Sequence, residues 1–168
     1  MLKVVICFKR KAASFFIVLL VISMVVISRS ASAAAPKITK AFNPDSIVIN
    51  EFVTMTIGFL NPNSQAARFT APFSESLPTG VIILGSASNS CGGKLKAEPG
   101  SSKFTLENAK IPAYGGCNIL LGITAAKAGR YESKTEVSAL QTDRGKNSRS
   151  SDAILIVVKS ELSNSKAK

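Results

Sequence analysis

The sequence predicts an all-β protein, a two-layer antiparallel sandwich exported behind a cleaved leader. Three observations carry that prediction. Short β-branched runs separated by Gly, Pro and Asn recur every ten or so positions beyond Pro36. Over the same region no stretch of a dozen residues repeats with a helical period. The first 33 residues, finally, have the composition of an export signal.

The leader is read from three parts. Lys3, Lys9, Arg10 and Lys11 form a basic start, Ala12 to Ser28 is an uncharged apolar run, and RSASAAAP follows with Ala31 and Ala33 at the small-residue positions a signal peptidase requires. Cleavage is expected after Ala33. A retained membrane anchor is the alternative, because about 16 apolar residues is near the lower limit for spanning. Cys7 lies before the apolar run and not at its end, which argues against a lipoprotein. The expected organisation is a signal peptide at 1–33, a β-sandwich domain at 34–159 and a polar flexible tail at 160–168. The predicted location is outside the cytoplasm: periplasm, cell surface or secreted.

Within the domain, Lys37 to Phe42 and Ser46 to Ile49 read as strands broken by the Asn43-Pro44-Asp45 turn. Phe52 to Leu60 (FVTMTIGFL) alternates, with Val53, Met55, Ile57 and Phe59 on one face and Phe52, Thr54, Thr56 and Gly58 on the other. Asn61-Pro62-Asn63 closes it, since proline fixes φ and asparagine tolerates turn geometry. Ala67 to Phe73 reads as a strand, and Leu77-Pro78-Thr79-Gly80 as a turn into the apolar run Val81 to Leu84. Gly93 to Ala97 and Lys103 to Leu106 flank Glu98-Pro99-Gly100 as a hairpin. Cys117 to Ala125 and Tyr131 to Leu140 read as a long pair joined around Ala128-Gly129. A polar loop, Asp143 to Ser151, leads to Ala153 to Val158, expected as a strand buried on both faces. Eight to ten such strands suit an immunoglobulin-like Greek-key sandwich, with a closed barrel as the alternative.

The charge is less extreme than it looks. The full chain has 21 basic and 10 acidic residues, but five of the basic ones precede Ala34 and none of the acidic ones does. The remaining cations are scattered as Lys94, Lys96, Lys103, Lys110, Lys127, Arg130 and Lys134, with no aromatic-interleaved basic strip for nucleic acid. Attraction to an anionic envelope surface is the partner chemistry they permit.

Several chemistries lack their parts. There is no histidine, which removes Ser-His-Asp and Cys-His triads and His-based zinc sites. No GxSxG, P-loop or GxGxxG motif is present. The loop carrying Asp143, Asn147 and Asp152 lacks the ligand spacing of a calcium loop and reads as an exposed connection. Glu75, Glu107, Glu132 and Glu136 show no pairing that suggests a glycosidase. No enzymatic activity, cofactor or metal is expected.

Cys91 and Cys117 are 26 positions apart, far from the CxxC spacing of metal or thioredoxin-type sites. In an exported chain they point to one structural disulfide. Gly92-Gly93 and Gly115-Gly116 are then expected to turn the backbone sharply beside the bridge.

The order of motifs, ITKAFNPDSI, FLNPN, FSESLPTGVII, SCGGKLKA, IPAYGGCNILLGITA and AGRYESKTEVSAL, resembles an uncharacterised family of conserved repeat domains in bacterial surface and secreted proteins. The resemblance implies an immunoglobulin-type sandwich of the kind strung into adhesin stalks. By position it implies that Cys91 and Cys117 are the family's paired cysteines and that Pro62, Pro78 and Gly80 are its turn residues. Two places depart from the family pattern. An Asn after the tyrosine is replaced in the run Glu132-Ser133-Lys134, and an Asp before Leu-Pro in Ser74-Glu75-Ser76.

The function expected from the sequence is therefore a non-enzymatic exported sandwich with an adhesion, envelope-structural or binding role. Its alternative is a periplasmic chaperone, inhibitor or assembly subunit that pairs a strand edge with a partner. A protein or glycan partner is expected, no nucleic acid, and membrane contact by the leader only during export.

Overall fold

A computed structural model describes residues 33–160 of the chain. The predicted signal peptide, but for Ala33, and the predicted tail, but for Ser160, lie outside the described residues.

Those residues are all-β, in the order β1 (Lys37–Asn43), β2 (Ser46–Val48), β3 (Val53–Asn61), β4 (Ala67–Arg68), β5 (Phe73–Ser76), β6 (Val81–Asn89), β7 (Lys94–Lys96), β8 (Lys103–Glu107), β9 (Lys110–Ile111), β10 (Gly115–Ala125), β11 (Gly129–Thr135), β12 (Gln141–Thr142), β13 (Gly145–Lys146) and β14 (Ser151–Val158). One layer is the sheet β1-β3-β10-β6. Facing it are the sheets β11-β14-β2 and β5-β8-β7, with the short pairs β4-β9 and β12-β13 completing the fold. All pairings are antiparallel except that of β14 with β2.

β3 shows how sequence becomes core. Its alternation puts Val53, Met55, Ile57 and Phe59 inside, where all are buried. Opposite them β10 turns Ile119, Leu121 and Ile123 to the same face, in register with Ile57, Met55 and Val53. Phe59 closes this layer onto the facing side, with Phe69 and Phe73 edge-on at centroid separations of 5.5 and 5.0 Å. Such edge-to-face contacts add to plain area burial. The strand ends where expected, and Asn61 is the reason. Its buried amide donates to the Gln65 and Pro112 carbonyls at 2.8 and 3.0 Å, and its Oδ1 accepts the Asn63 N–H at 3.1 Å, with Pro62 held between.

The Glu98-Pro99-Gly100 hairpin is present, with Leu95 opposite Leu106. Three expectations need correction. The Ala67 to Phe73 strand is two separate strands, β4 and β5, interrupted before Phe73, where Pro72 can donate no ladder hydrogen bond. The long hairpin of Cys117–Ala125 with Tyr131–Leu140 does not form. Both edges of β10 are occupied by β3 and β6, so the chain crosses to the other layer and β11 pairs with β14 instead. The last strand is not buried on both faces either. Leu155 and Val157 are buried, while Ile154, Ile156 and Val158 are 38–45% exposed, because one face of β14 looks outward.

The polar Asp143 to Ser151 segment is also more structured than an exposed connection. β12 and β13 form a small hairpin that enters it, and Asn147 is buried. The Asn147 amide accepts the Leu140 N–H at 2.8 Å and donates to the Glu136 and Arg149 carbonyls at 2.9 and 2.8 Å. A buried backbone turn needs such a partner for its polar groups.

Candidate functional site

Two constructions stand out in the described residues: a disulfide clasp at one end of the sandwich and a polar cluster inside it.

The clasp joins Cys91, just past β6, to Cys117 on β10, with the Cα atoms 5.0 Å apart. Both cysteines are buried, and the bridge encloses the β7-β8 hairpin and β9. Neighbouring hydrogen bonds fix the loop. The Cys91 N–H donates to Asn89 Oδ1 at 3.0 Å, and the Cys91 carbonyl accepts the Lys110 N–H at 3.0 Å.

The glycines beside it divide into two kinds. Gly92 and Gly93 have φ of +68° and +74°, the left-handed region that disfavours a Cβ. At Gly93 a Cβ would also lie 2.1 Å from the Glu107 carbonyl oxygen, whereas at Gly92 it would meet open space. We therefore expect Gly92→Ala to cost about 1–2 kcal/mol from conformation alone, and Gly93→Ala to cost clearly more. Urea denaturation of the two variants checks the order; equal losses would contradict the close approach.

Gly115 and Gly116 do not turn the backbone, and the expectation that they do is corrected. They open β10, and the turn lies just before them, with Tyr114 at φ +47°. Gly116 is small for another reason: a Cβ there would sit 2.8 Å from the Phe59 carbonyl oxygen on the paired strand. Pro62 lies directly after β3. Pro78 and Gly80 belong to one tight turn, in which the Val81 N–H returns to the Pro78 carbonyl at 3.0 Å and Gly80 takes φ +94°.

The polar cluster is the feature that sequence reasoning missed. On β1, Ile38, Lys40 and Phe42 occupy alternate positions opposite Phe59, Ile57 and Met55 of β3, so all three face the core. On β5, Phe73 and Glu75 do the same, and both are buried. The Lys40 side chain has no exposure and that of Glu75 only 6%. Lys40 Nζ bonds Glu75 Oε1, and donates to Ser133 Oγ at 2.8 Å. Ser133 in turn donates to Glu75 Oε1 at 3.0 Å, and Thr135 donates to Glu75 Oε2 at 2.6 Å. Ser133 and Thr135 are alternate inward residues of β11, so three strands from different sheets meet here.

Burial pushes the Lys40 ammonium below the usual lysine range, opposed by the charge and hydrogen bond of Glu75 and by the charge of Asp152. Glu75 and Ser133, which lie within the runs Ser74-Glu75-Ser76 and Glu132-Ser133-Lys134, are in direct contact. The legible trace was period 2: Lys40 between Ile38 and Phe42, and Glu75 between Phe73 and Leu77, are charged residues at inward positions.

The exterior offers less chemistry. Lys96, Arg130 and Lys134 are held by Glu107, Glu132 and Glu136 at 2.7, 3.1 and 2.9 Å. The Lys134 pKa is raised by its hydrogen bond to Glu136 and by that group's charge. Among the described residues no three His, Cys, Asp or Glu side chains gather as a metal site would need. An open cleft of about 460 Å³ runs between the Gly85–Asn89 end of β6 and the segment around β7. Each of those strands is the outer strand of its sheet.

Other solved structures share the fold. The structure is similar to BslA, a bacterial hydrophobin, with a TM-score of 0.52 and 14% identity over 76% of this chain and 97% of that one. It is also similar to a cohesin module of a family 33 glycoside hydrolase from Clostridium perfringens, with a TM-score of 0.51 and 11% identity over 77% of this chain and all of that one. At these identities the likeness is one of fold. No curated protein sequence matches the chain. One family model matches residues 36–157, the whole sandwich, as a single domain and not as a repeat. The chain belongs to that family, DUF7933, a domain of unknown function.

Proposed function

We propose that the protein is an exported, non-enzymatic immunoglobulin-like sandwich with an adhesive or structural role at the cell envelope. The observation that carries this reading is the buried Cys91–Cys117 bridge in a chain whose leader reads as an export signal. Structural disulfides persist in oxidising compartments and are rare in the cytosol. The interior acid, Glu75, is engaged by Lys40, Ser133 and Thr135, so it is not free to serve a substrate in a cleft. Attraction of the exposed lysines to an anionic envelope polymer adds to the role.

Incubating the purified oxidised protein with isolated envelopes and envelope polysaccharide tests the reading. It is expected to sediment with them, leaving the polymer intact. Release of reducing sugar or peptide fragments would overturn it.

One observation favours a second reading. The cleft between the outer strands β6 and β7 is a place where an extended segment of a partner could add a strand. Pull-down from envelope extract separates the two. A single protein recovered in stoichiometric amount supports strand-edge pairing, and recovery of glycan alone supports adhesion.

A further inference from the structure

We propose that Lys40 and Glu75 condense to an intramolecular amide that crosslinks β1 to β5 in the core. The inference rests on four side chains arranged around one prospective bond, and it does not depend on where the protein resides.

Lys40 supplies the nucleophile. Its side chain is withdrawn from solvent altogether, and desolvation there shifts it toward the neutral amine, opposed by the charge and hydrogen bond of Glu75. Glu75 supplies the carbonyl carbon, with Oε1 against the amine. Ser133 bridges the two: it accepts from Lys40 Nζ at 2.8 Å and donates to Glu75 Oε1 at 3.0 Å, the path a proton must take from nitrogen to the departing oxygen. Thr135 donates to the other oxygen, Oε2, at 2.6 Å, where negative charge develops as the carbon becomes tetrahedral.

The step balances without any further reactant. A proton passes from Lys40 Nζ through Ser133 to Glu75, giving an amine and a carboxylic acid. The nitrogen lone pair attacks Cδ, the N–C bond forms, the bond from Cδ to Oε1 breaks, and Oε1 departs as water with two protons. Nothing is oxidised or reduced. Holding both groups in one dry position supplies the high effective concentration that such a condensation needs.

Donor counting points the same way. An ammonium has three N–H donors, and Lys40 Nζ has two hydrogen-bond partners, Glu75 and Ser133. The amide nitrogen would keep one N–H, with Ser133 Oγ as its acceptor, while Thr135 continues to serve the amide oxygen. An ammonium here leaves one buried donor unpaired, whereas the amide nitrogen pairs its single N–H, in exchange for Oε1 as the acceptor of the Ser133 hydroxyl.

Intact-mass spectrometry of the purified protein, after reduction and with its N-terminus determined, tests the proposal. The protein is expected to be lighter than its sequence by ~18 Da, one water. Trypsin is expected to leave Lys40 uncut and to yield a branched peptide joining the Lys40 segment to Phe69–Lys94. Lys40→Arg keeps a buried cation but removes the nucleophile, so it is expected to show the full sequence mass. A wild-type protein at full sequence mass with Lys40 open to trypsin would overturn the proposal. So would a ~18 Da deficit that persists in Lys40→Arg.

Discussion

Glu75→Ala is expected to destabilise the domain by about 3–5 kcal/mol, the cost of leaving one partner of a buried pair uncompensated. The carboxylate meets Lys40, Ser133 and Thr135, so its removal strands an amine with no exposure and two buried hydroxyls. An amide bond between Lys40 and Glu75 would enlarge the loss. The companion experiment is Lys40→Met in the Glu75→Ala background. Removing the orphaned amine is expected to recover the part of the loss that comes from burying an amine without its counter-ion, while the lost side-chain volume, the acceptor of Ser133 and Thr135 and any amide crosslink stay lost. Urea unfolding of the wild type, the single variant and the double variant reads both effects. A loss under about 1 kcal/mol for Glu75→Ala, the range of an exposed pair, would contradict the buried cluster.

The second large effect is expected at the clasp. Cys91→Ala in oxidised protein is expected to cost about 3–4 kcal/mol, the chain-entropy value for a loop of this size. The stabilisation acts through the unfolded chain. The bridge denies it the separations that Cys91 and Cys117, 26 positions apart, would otherwise explore. In reducing buffer, wild type and variant are expected to unfold together. An equal loss in both buffers would place the effect in packing of the thiol and not in the bridge. The clasp holds the loop around β7, β8 and β9 against β10, which leaves the outer cleft beside β6 on a fixed frame.

How much of this was legible depended on whether the signal was local. FVTMTIGFL carries its own answer, since alternation over nine residues fixes which face is buried, and β3 buries that face. The cysteine pair was legible because few alternatives existed for two thiols in a chain without histidine. The pairing of β10 was not. A short link between two apolar runs favours a hairpin, but sandwich topology sends β11 to the other layer, and that choice is made by distant strands β3, β6 and β14. The Lys40–Glu75 cluster was half visible. The period of the flanking apolar residues placed both charges inward, yet charged residues are ordinarily read as solvent-facing. What makes burial tolerable is a partner 35 positions away and hydroxyls 93 and 60 positions from the groups they bond. No local pattern announces those. Asn147 is a similar case, a polar residue in a polar segment whose burial follows from three backbone groups that need it.

We propose that this sandwich works outside the cytoplasm, and subcellular fractionation with N-terminal sequencing is the decisive experiment. The expected result is a protein outside the cytoplasm that begins at Ala34 and carries no free thiol. Recovery of the full-length chain in the cytoplasm, with Cys91 and Cys117 both reduced, would contradict it.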